Sequence, residues 1–169
     1  IQVESNIPRT TPQFGQVKCG SNYAMALGVI RKAAAEFQAD QVLFAPGGFI
    51  EETGAANFIL LEEGHIITAP LSGSFLHGVT RDSLLQLARS LDWKVEERAV
   101  DIEELIEWCK RPKAEAALAG TAAILGGVGT LIINGEDHQV GSGETGPATR
   151  MLREMLTEIQ IGKREFRFA

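Results

Sequence analysis

Three small groups of residues carry the chemical potential of this sequence. In GQVKCGSNY (15–23) a lone amine, Lys18, lies between Gly15 and Gly20, just ahead of an apolar stretch with helical spacing. The N-terminal end of a helix carries partial positive charge and disfavours an ammonium group. A lysine there would have a depressed pKa, and a neutral amine is the nucleophile of imine chemistry. A solvated loop lysine is the ordinary alternative, and Lys18 alone does not separate the two. Gly78-Val79-Thr80 and Gly120-Thr121-Ala122 share a glycine, a small or branched residue and a hydroxyl. Open backbone N–H groups beside a threonine suit a phosphate, although each run also serves as a simple helix cap or tight bend. In EETGAAN (51–57), Glu51-Glu52 reads as a solvated edge; a carboxylate buried in such a small-residue run would instead need a cationic partner.

Other patterns point away from alternative chemistries. Gly141-Ser142-Gly143-Glu144-Thr145-Gly146 fits G-x-G-x-x-G, but dinucleotide binding needs a βαβ unit and an acidic partner about 20 residues further on. Within the sequence as given no second strand follows, and the segment is expected to be a loop leading into the last helix. His65, His77 and His138 lack metal-ligand spacing, so no metal site is expected. Net charge of -6 and a pI near 5.1 argue against nucleic-acid and anionic-membrane partners, and no apolar run reaches the roughly 18 residues of a membrane span. Cys19 and Cys109 are too few for a disulfide framework, which makes reduced thiols in a cytoplasmic compartment the expectation. With 169 residues, 44% of them hydrophobic, the chain suffices for one domain with a core.

Periodicity supplies the elements that must position these groups. Ser21 or Asn22 is expected to cap a first helix with Tyr23, Leu27, Ile30 and Ala34 along one side. QVLFA (41–45) reads as a buried strand, PGG as a turn and FIEE (49–52) as a returning strand. NFILLEEGHIITAP (57–70) reads as a hairpin about Glu63-Gly64. A helix over 80–91 is expected to start on Thr80 as N-cap, followed by a strand over 93–100. Asp101 and Glu104 have capping-box spacing for a helix over 101–111. AALAGTAAIL (116–125) and VGTLIING (128–135) suggest further strands, and a last helix covers about 146–161. Hairpins with irregularly interspersed helices favour an α+β fold.

In order along the chain, KCGSNY, FIEETGAANF, APLSGSFLHGVTRDSLLQLA, LAGTAA and GSGETGPAT resemble the signature segments of the branched-chain amino acid aminotransferases, fold-type IV enzymes that use pyridoxal 5′-phosphate. The match runs from about Arg9 to Gly162 with spacing kept. The resemblance implies the large domain of that fold, a pseudo-barrel of mostly antiparallel hairpin strands flanked by helices. It implies transfer of an amino group between branched-chain L-amino acids and 2-oxoglutarate, in amino-acid biosynthesis, by a homodimer or higher homo-oligomer. Other fold-type IV activities, D-amino acid aminotransferase or aminodeoxychorismate lyase, and a catalytically incomplete isolated domain remain as alternatives.

By the same resemblance, Lys18 matches the lysine that forms the internal aldimine and moves the substrate Cα proton. Tyr23 matches the tyrosine bonded to the cofactor's O3′, and Glu52 the glutamate facing its pyridine nitrogen. Asn57 matches a supporting asparagine. Leu76 corresponds to a residue packed on the ring, Val79 and Thr80 to the helix start that holds the phosphate, and Thr121 to a second phosphate contact. Thr121 and Ala122 match the amides offered to the substrate carboxylate. Departures from the pattern are His77 where proline is usual, Ala56 where some members have glutamate, and Ile124-Leu125-Gly126-Gly127-Val128 in place of a Thr-Pro-Val stretch, expected to soften the carboxylate loop. Family members also carry a smaller N-terminal domain that supplies a phosphate-binding arginine; the sequence as given is expected to be the large domain alone.

Overall fold

Alternation along the strands explains the layering. A computed structural model describes residues 1–169. In β3 (Asn57–Glu62), Phe58 and Leu60 join one core cluster while Ile59 and Leu61 join another. In β2 (Val42–Phe44), Leu43 turns into the first cluster and Val42 and Phe44 into a third. Side chains on a strand alternate between faces, so each fully apolar strand must be covered on both sides.

Two sheets result. One has the order β2-β1-β8-β9, with β1 (Gln2–Glu4), β8 (Thr130–Ile133) and β9 (Glu136–Gln139). The other runs β5-β4-β3-β6-β7, with β4 (His65–Thr68), β5 (Lys94–Glu97), β6 (Glu115–Gly120) and β7 (Ile124–Val128). Their inner faces meet in the largest cluster, which includes Val3, Leu43, Phe58, Leu60, Ile67, Leu131 and Ile133 and is closed by Leu105 and Trp108 of α3 (Ile102–Cys109). Helices α2 (Val79–Ser90) and α4 (Pro147–Gln160) cover the outer face of the five-stranded sheet through Leu84, Leu85, Leu87, Leu152 and Leu156. Helix α1 (Gly20–Phe37) covers the outer face of the four-stranded sheet through Ala26 and Ala33. No helix is long and apolar enough to cross a membrane.

The α+β expectation holds, with more parallel pairing than expected: β1 pairs parallel with β2 and β8, and β4 with β5. The hairpins about Glu63-Gly64 and Asn134-Gly135 form, the latter with φ of 53° and 81° at its tip. Successive positive φ values are what a type I′ turn demands. FIEE forms isolated bridges instead of a strand, Phe49 to Asp101 and Glu52 to Asn57, because the chain must bend there to return Glu52 toward Asn57. Neither Ser21 nor Asn22 caps α1; Cys19 is the N-cap. The inward side of α1 is Asn22, Ala26 and Ala33, whereas Tyr23 and Leu27 stay partly exposed, since small residues let the helix backbone approach the sheet. Thr80 is not a cap either: Gly78 is, and Thr80 falls in the first turn of α2. Gly126 and Gly127 do not soften the chain. Both lie in β7, paired with β6, and a Cβ on Gly127 would run into Thr145. The glycine is there for close approach.

Candidate active site

The site is assembled where β3, β6 and the start of α2 meet the loop ahead of α1. Asn22 pins that loop: its carboxamide donates to Phe14 O at 2.8 Å and Val17 O at 2.9 Å and accepts from Thr10 Oγ1 at 2.9 Å. Lys18 therefore follows a carbonyl fixed from within the helix. It is exposed and makes no salt bridge. A turn closed by Thr53, whose hydroxyl and amide both donate to Ala56 O at 2.9 Å, brings Glu52 beside Asn57. Leu76 is held at both backbone ends, its amide donating to Glu52 Oε1 at 3.0 Å and its carbonyl accepting from Asn57 Nδ2 at 2.9 Å. Gly78 then leads into α2, and a Cβ there would collide with Asn57 Oδ1.

These placements enclose a cleft of about 190 Å³. Lys18, Tyr23, Glu52, Asn57, Leu76, Val79, Thr80 and Thr121 all line it. The residues expected to act together, from Lys18 to Thr121, are thus brought to one cleft. Ala122 is the exception: it sits in the turn after β6, exposed and outside the cleft lining. The next residue but one, Ile124, has φ of 57°, a left-handed backbone that a β-branched residue adopts only under constraint.

Electrostatics single out Glu52. It is 2% exposed, and burial pushes its carboxyl up to about 7, against the pull of Arg9 and the Leu76 amide, with Glu51 adding a smaller push. Arg9, equally buried, places Nη1 2.7 Å from Glu52 Oε1 and lines the same cleft. Sequence reasoning missed Arg9. Its one signal was indirect: a buried Glu52 requires a cation, and nothing in the PRTTP loop says which arginine or lysine reaches it. Also on the cleft, α2 begins on Gly78 with no side-chain cap. The first-turn N–H groups of a helix have no intrahelical acceptor, and together with the dipole they favour an anion.

A buried acid, an amine free of ion pairs and an uncapped helix start on one cleft are groups suited to a phosphorylated, carbonyl-bearing molecule. Comparison with known proteins agrees. The sequence profile of the family "Amino-transferase class IV" matches residues 5–125, and the chain belongs to that family. It is 39% identical over 155 residues to a probable branched-chain-amino-acid aminotransferase of Staphylococcus aureus (strain N315), covering 89% of this chain and 43% of that protein. It is 39% identical over 153 residues to branched-chain-amino-acid transaminase 1 of Bacillus subtilis (strain 168), covering 88% and 43%. Among solved structures, the branched-chain amino acid aminotransferase from Thermobaculum terrenum in its PLP-bound holo form superposes with a TM-score of 0.79 at 29% identity, over 96% of this chain and 51% of that one. The Escherichia coli branched-chain amino acid aminotransferase gives 0.80 at 27% identity, over 99% and 54%. The chain thus spans less than half the length of these curated relatives.

Proposed function

We propose that this chain is the cofactor-binding large domain of a branched-chain amino acid aminotransferase, which moves an amino group between branched-chain L-amino acids and 2-oxoglutarate. The observation that carries the reading is the convergence of Lys18, Tyr23, Glu52, Thr80 and Thr121 on one cleft at the uncapped start of α2. The names of the relatives and neighbours support the substrate class and the cofactor, pyridoxal 5′-phosphate.

The residues present fit that cofactor. The open N–H groups of Val79 and Thr80 and the Thr121 hydroxyl are donors suited to a phosphate, Leu76 offers an apolar contact to a ring, and buried Glu52 lies on the same cleft. When bound, the cofactor supplies an electron sink that stabilises charge on the substrate α-carbon. Lys18 Nζ, the amine on the cleft, would anchor it as a nucleophile and would accept and return the substrate Cα proton. Tyr23 and Glu52 line the same cleft, where the Tyr23 hydroxyl would donate to the ring oxygen and Glu52 would hold a proton on the ring nitrogen. The backbone amide of Thr121, on the cleft, would be offered to the substrate carboxylate; Ala122, exposed beside it, would reach that group only from the solvent edge.

Phe14, Val17 and Leu71 are exposed in loops joined by the Gly15 N to Gly73 O bond, and Val79 is 83% exposed on the cleft wall. These apolar groups support further protein over the mouth, from an N-terminal domain and a partner subunit of a homodimer or higher assembly. The free thiols Cys19 and Cys109 are compatible with a reducing, cytoplasmic setting, which this reading adopts together with a role in amino-acid biosynthesis. Adding pyridoxal 5′-phosphate to the full-length protein is expected to produce a visible absorbance band that Lys18→Ala removes. Glu52→Gln is expected to keep the band and lower turnover by about 100-fold. A band that survives Lys18→Ala rejects the assignment; a band without transamination reduces the chain to an incomplete catalytic domain.

A further inference from the structure

Arg9 has no place in the roles given above, yet it is among the most buried charged groups of the chain, 2% exposed. Its guanidinium makes three kinds of contact at once. Nη1 lies 2.7 Å from Glu52 Oε1. Nε and Nη2 both donate to Gly54 O, at 3.4 Å, in the turn that directly follows Glu52. The guanidinium carbon stands over the Tyr23 ring, 5.5 Å from its centroid. Arg9 therefore touches both groups assigned to the polar edges of the cofactor ring.

We propose that Arg9 is a positioning residue that draws Glu52 toward its carboxylate form, holds it for the ring nitrogen of the cofactor, and ties it to Tyr23 along one wall of the cleft. This rests on the pyridoxal-phosphate reading. Burying an arginine is costly unless its charge is matched, and here it is matched by the one carboxylate whose ionisation the chemistry needs. Nη1 has no aligned hydrogen-bond acceptor, so its contact with Oε1 is a contact of charge. Oε1 already accepts from the Leu76 amide, while Oε2 has only a 3.3 Å bond from Asn57 Nδ2 and keeps accepting capacity. The charged groups around Glu52 are Arg9 from the loop ahead of α1, the neighbouring Glu51, which is engaged by the Ser74 hydroxyl, and Lys18 and exposed His77 on the cleft wall. Burial works against ionisation and already brings the Glu52 carboxyl to about 7 with Arg9 in place. Removing Arg9 would take away the main attraction that opposes burial, so the acid would keep its proton to higher pH and be less able to face a protonated ring nitrogen.

The test uses the full-length protein with carboxyl-13C glutamate, the Glu52 signal being assigned by its loss in Glu52→Gln. In cofactor-free protein, Arg9→Gln is expected to move the Glu52 titration midpoint upward by about one to three pH units, and Arg9→Lys to return most of that shift. With pyridoxal phosphate labelled at its ring 15N, wild type is expected to show the protonated-nitrogen shift at neutral pH and Arg9→Gln the unprotonated one. A merely structural arginine would leave that nitrogen signal where it was. An unmoved Glu52 midpoint and an unmoved ring-nitrogen signal overturn the proposal, while a Lys18-dependent absorbance band in the same samples leaves the parent reading standing. Absence of the band in wild type removes both. Should Arg9→Gln not fold, the wild-type Arg9 side-chain 15N resonance decides: it is expected to follow the Glu52 titration, and a flat response overturns the pairing.

Discussion

Helices α2 and α4 begin alike and are completed differently. Each has a glycine N-cap, Gly78 or Gly146, with no side-chain cap of its own. At α4 the gap is filled by the protein: Glu115 of β6 reaches in, Oε1 accepting from Ala148 N at 2.9 Å and Oε2 from Thr149 N at 2.8 Å. Gly146 is needed for that approach, since a Cβ would strike the carboxyl group. At α2 no carboxylate arrives, and the open end lies on the cleft with Lys18 and Glu52. The same backbone demand for an anion is thus met internally at α4 and left open at α2, as the proposed phosphate site requires. The two buried glutamates follow suit. Glu115 has two amides to itself, whereas Glu52 is held between burial and Arg9.

Breaking the internal end should have the largest effect. Glu115→Ala leaves two buried amides without an acceptor and is expected to cost about 4 kcal/mol in denaturant unfolding, with the pyridoxal-phosphate band unaffected once the protein is folded. A loss below about 1 kcal/mol would mean the α4 start does not depend on this carboxylate.

The second effect is a pH slope. Between about 4.5 and about 7 the folded chain keeps a proton on Glu52 that the unfolded chain has released. Stability of the cofactor-free protein is therefore greatest on the acid side of this window and falls as pH rises through it, by on the order of 3 kcal/mol from this residue. Unfolding curves of wild type and Glu52→Gln should converge near pH 5 and separate toward pH 7.5, the variant being the more stable there. Parallel curves would show that Glu52 does not carry the slope.

Filling the open end comes next. Pyridoxal phosphate at about 100 times its dissociation constant is expected to stabilise the fold by about 2.7 kcal/mol, and Gly78→Ala to erase much of this by displacing Asn57 at the α2 start. Smallest is the ordinary cap of α3, where Asp101 accepts from Glu104 N at 2.7 Å: Asp101→Ala should cost about 1 kcal/mol and leave cofactor binding unchanged.

Much of this was readable from the residues. Continuous apolar runs located β2 and β3, turn chemistry located the Glu63-Gly64 hairpin, and the Asp101 cap showed in its spacing to Glu104. Ordered motifs gave the cleft residues from Lys18 to Thr121. What stayed hidden depended on contacts between segments far apart in sequence. Arg9 and Glu52 are 43 residues apart in the numbering, and neither flank advertises the other. Glu115 as the cap of α4 was invisible for the same reason, as was Gly127 as the seat of Thr145. Asn22 was misread as a cap because caps and loop braces use the same side chain. Ala122 stands outside the cleft because a turn tip has solvent on one side, which a motif does not record.

The most direct test is a crystal structure of the full-length protein grown with pyridoxal 5′-phosphate. The expected density joins the cofactor to Lys18 Nζ, with its phosphate on the amides of Val79 and Thr80 and its ring nitrogen at Glu52. A phosphate bound elsewhere, with Lys18 unmodified and the start of α2 occupied by solvent, would contradict the assignment.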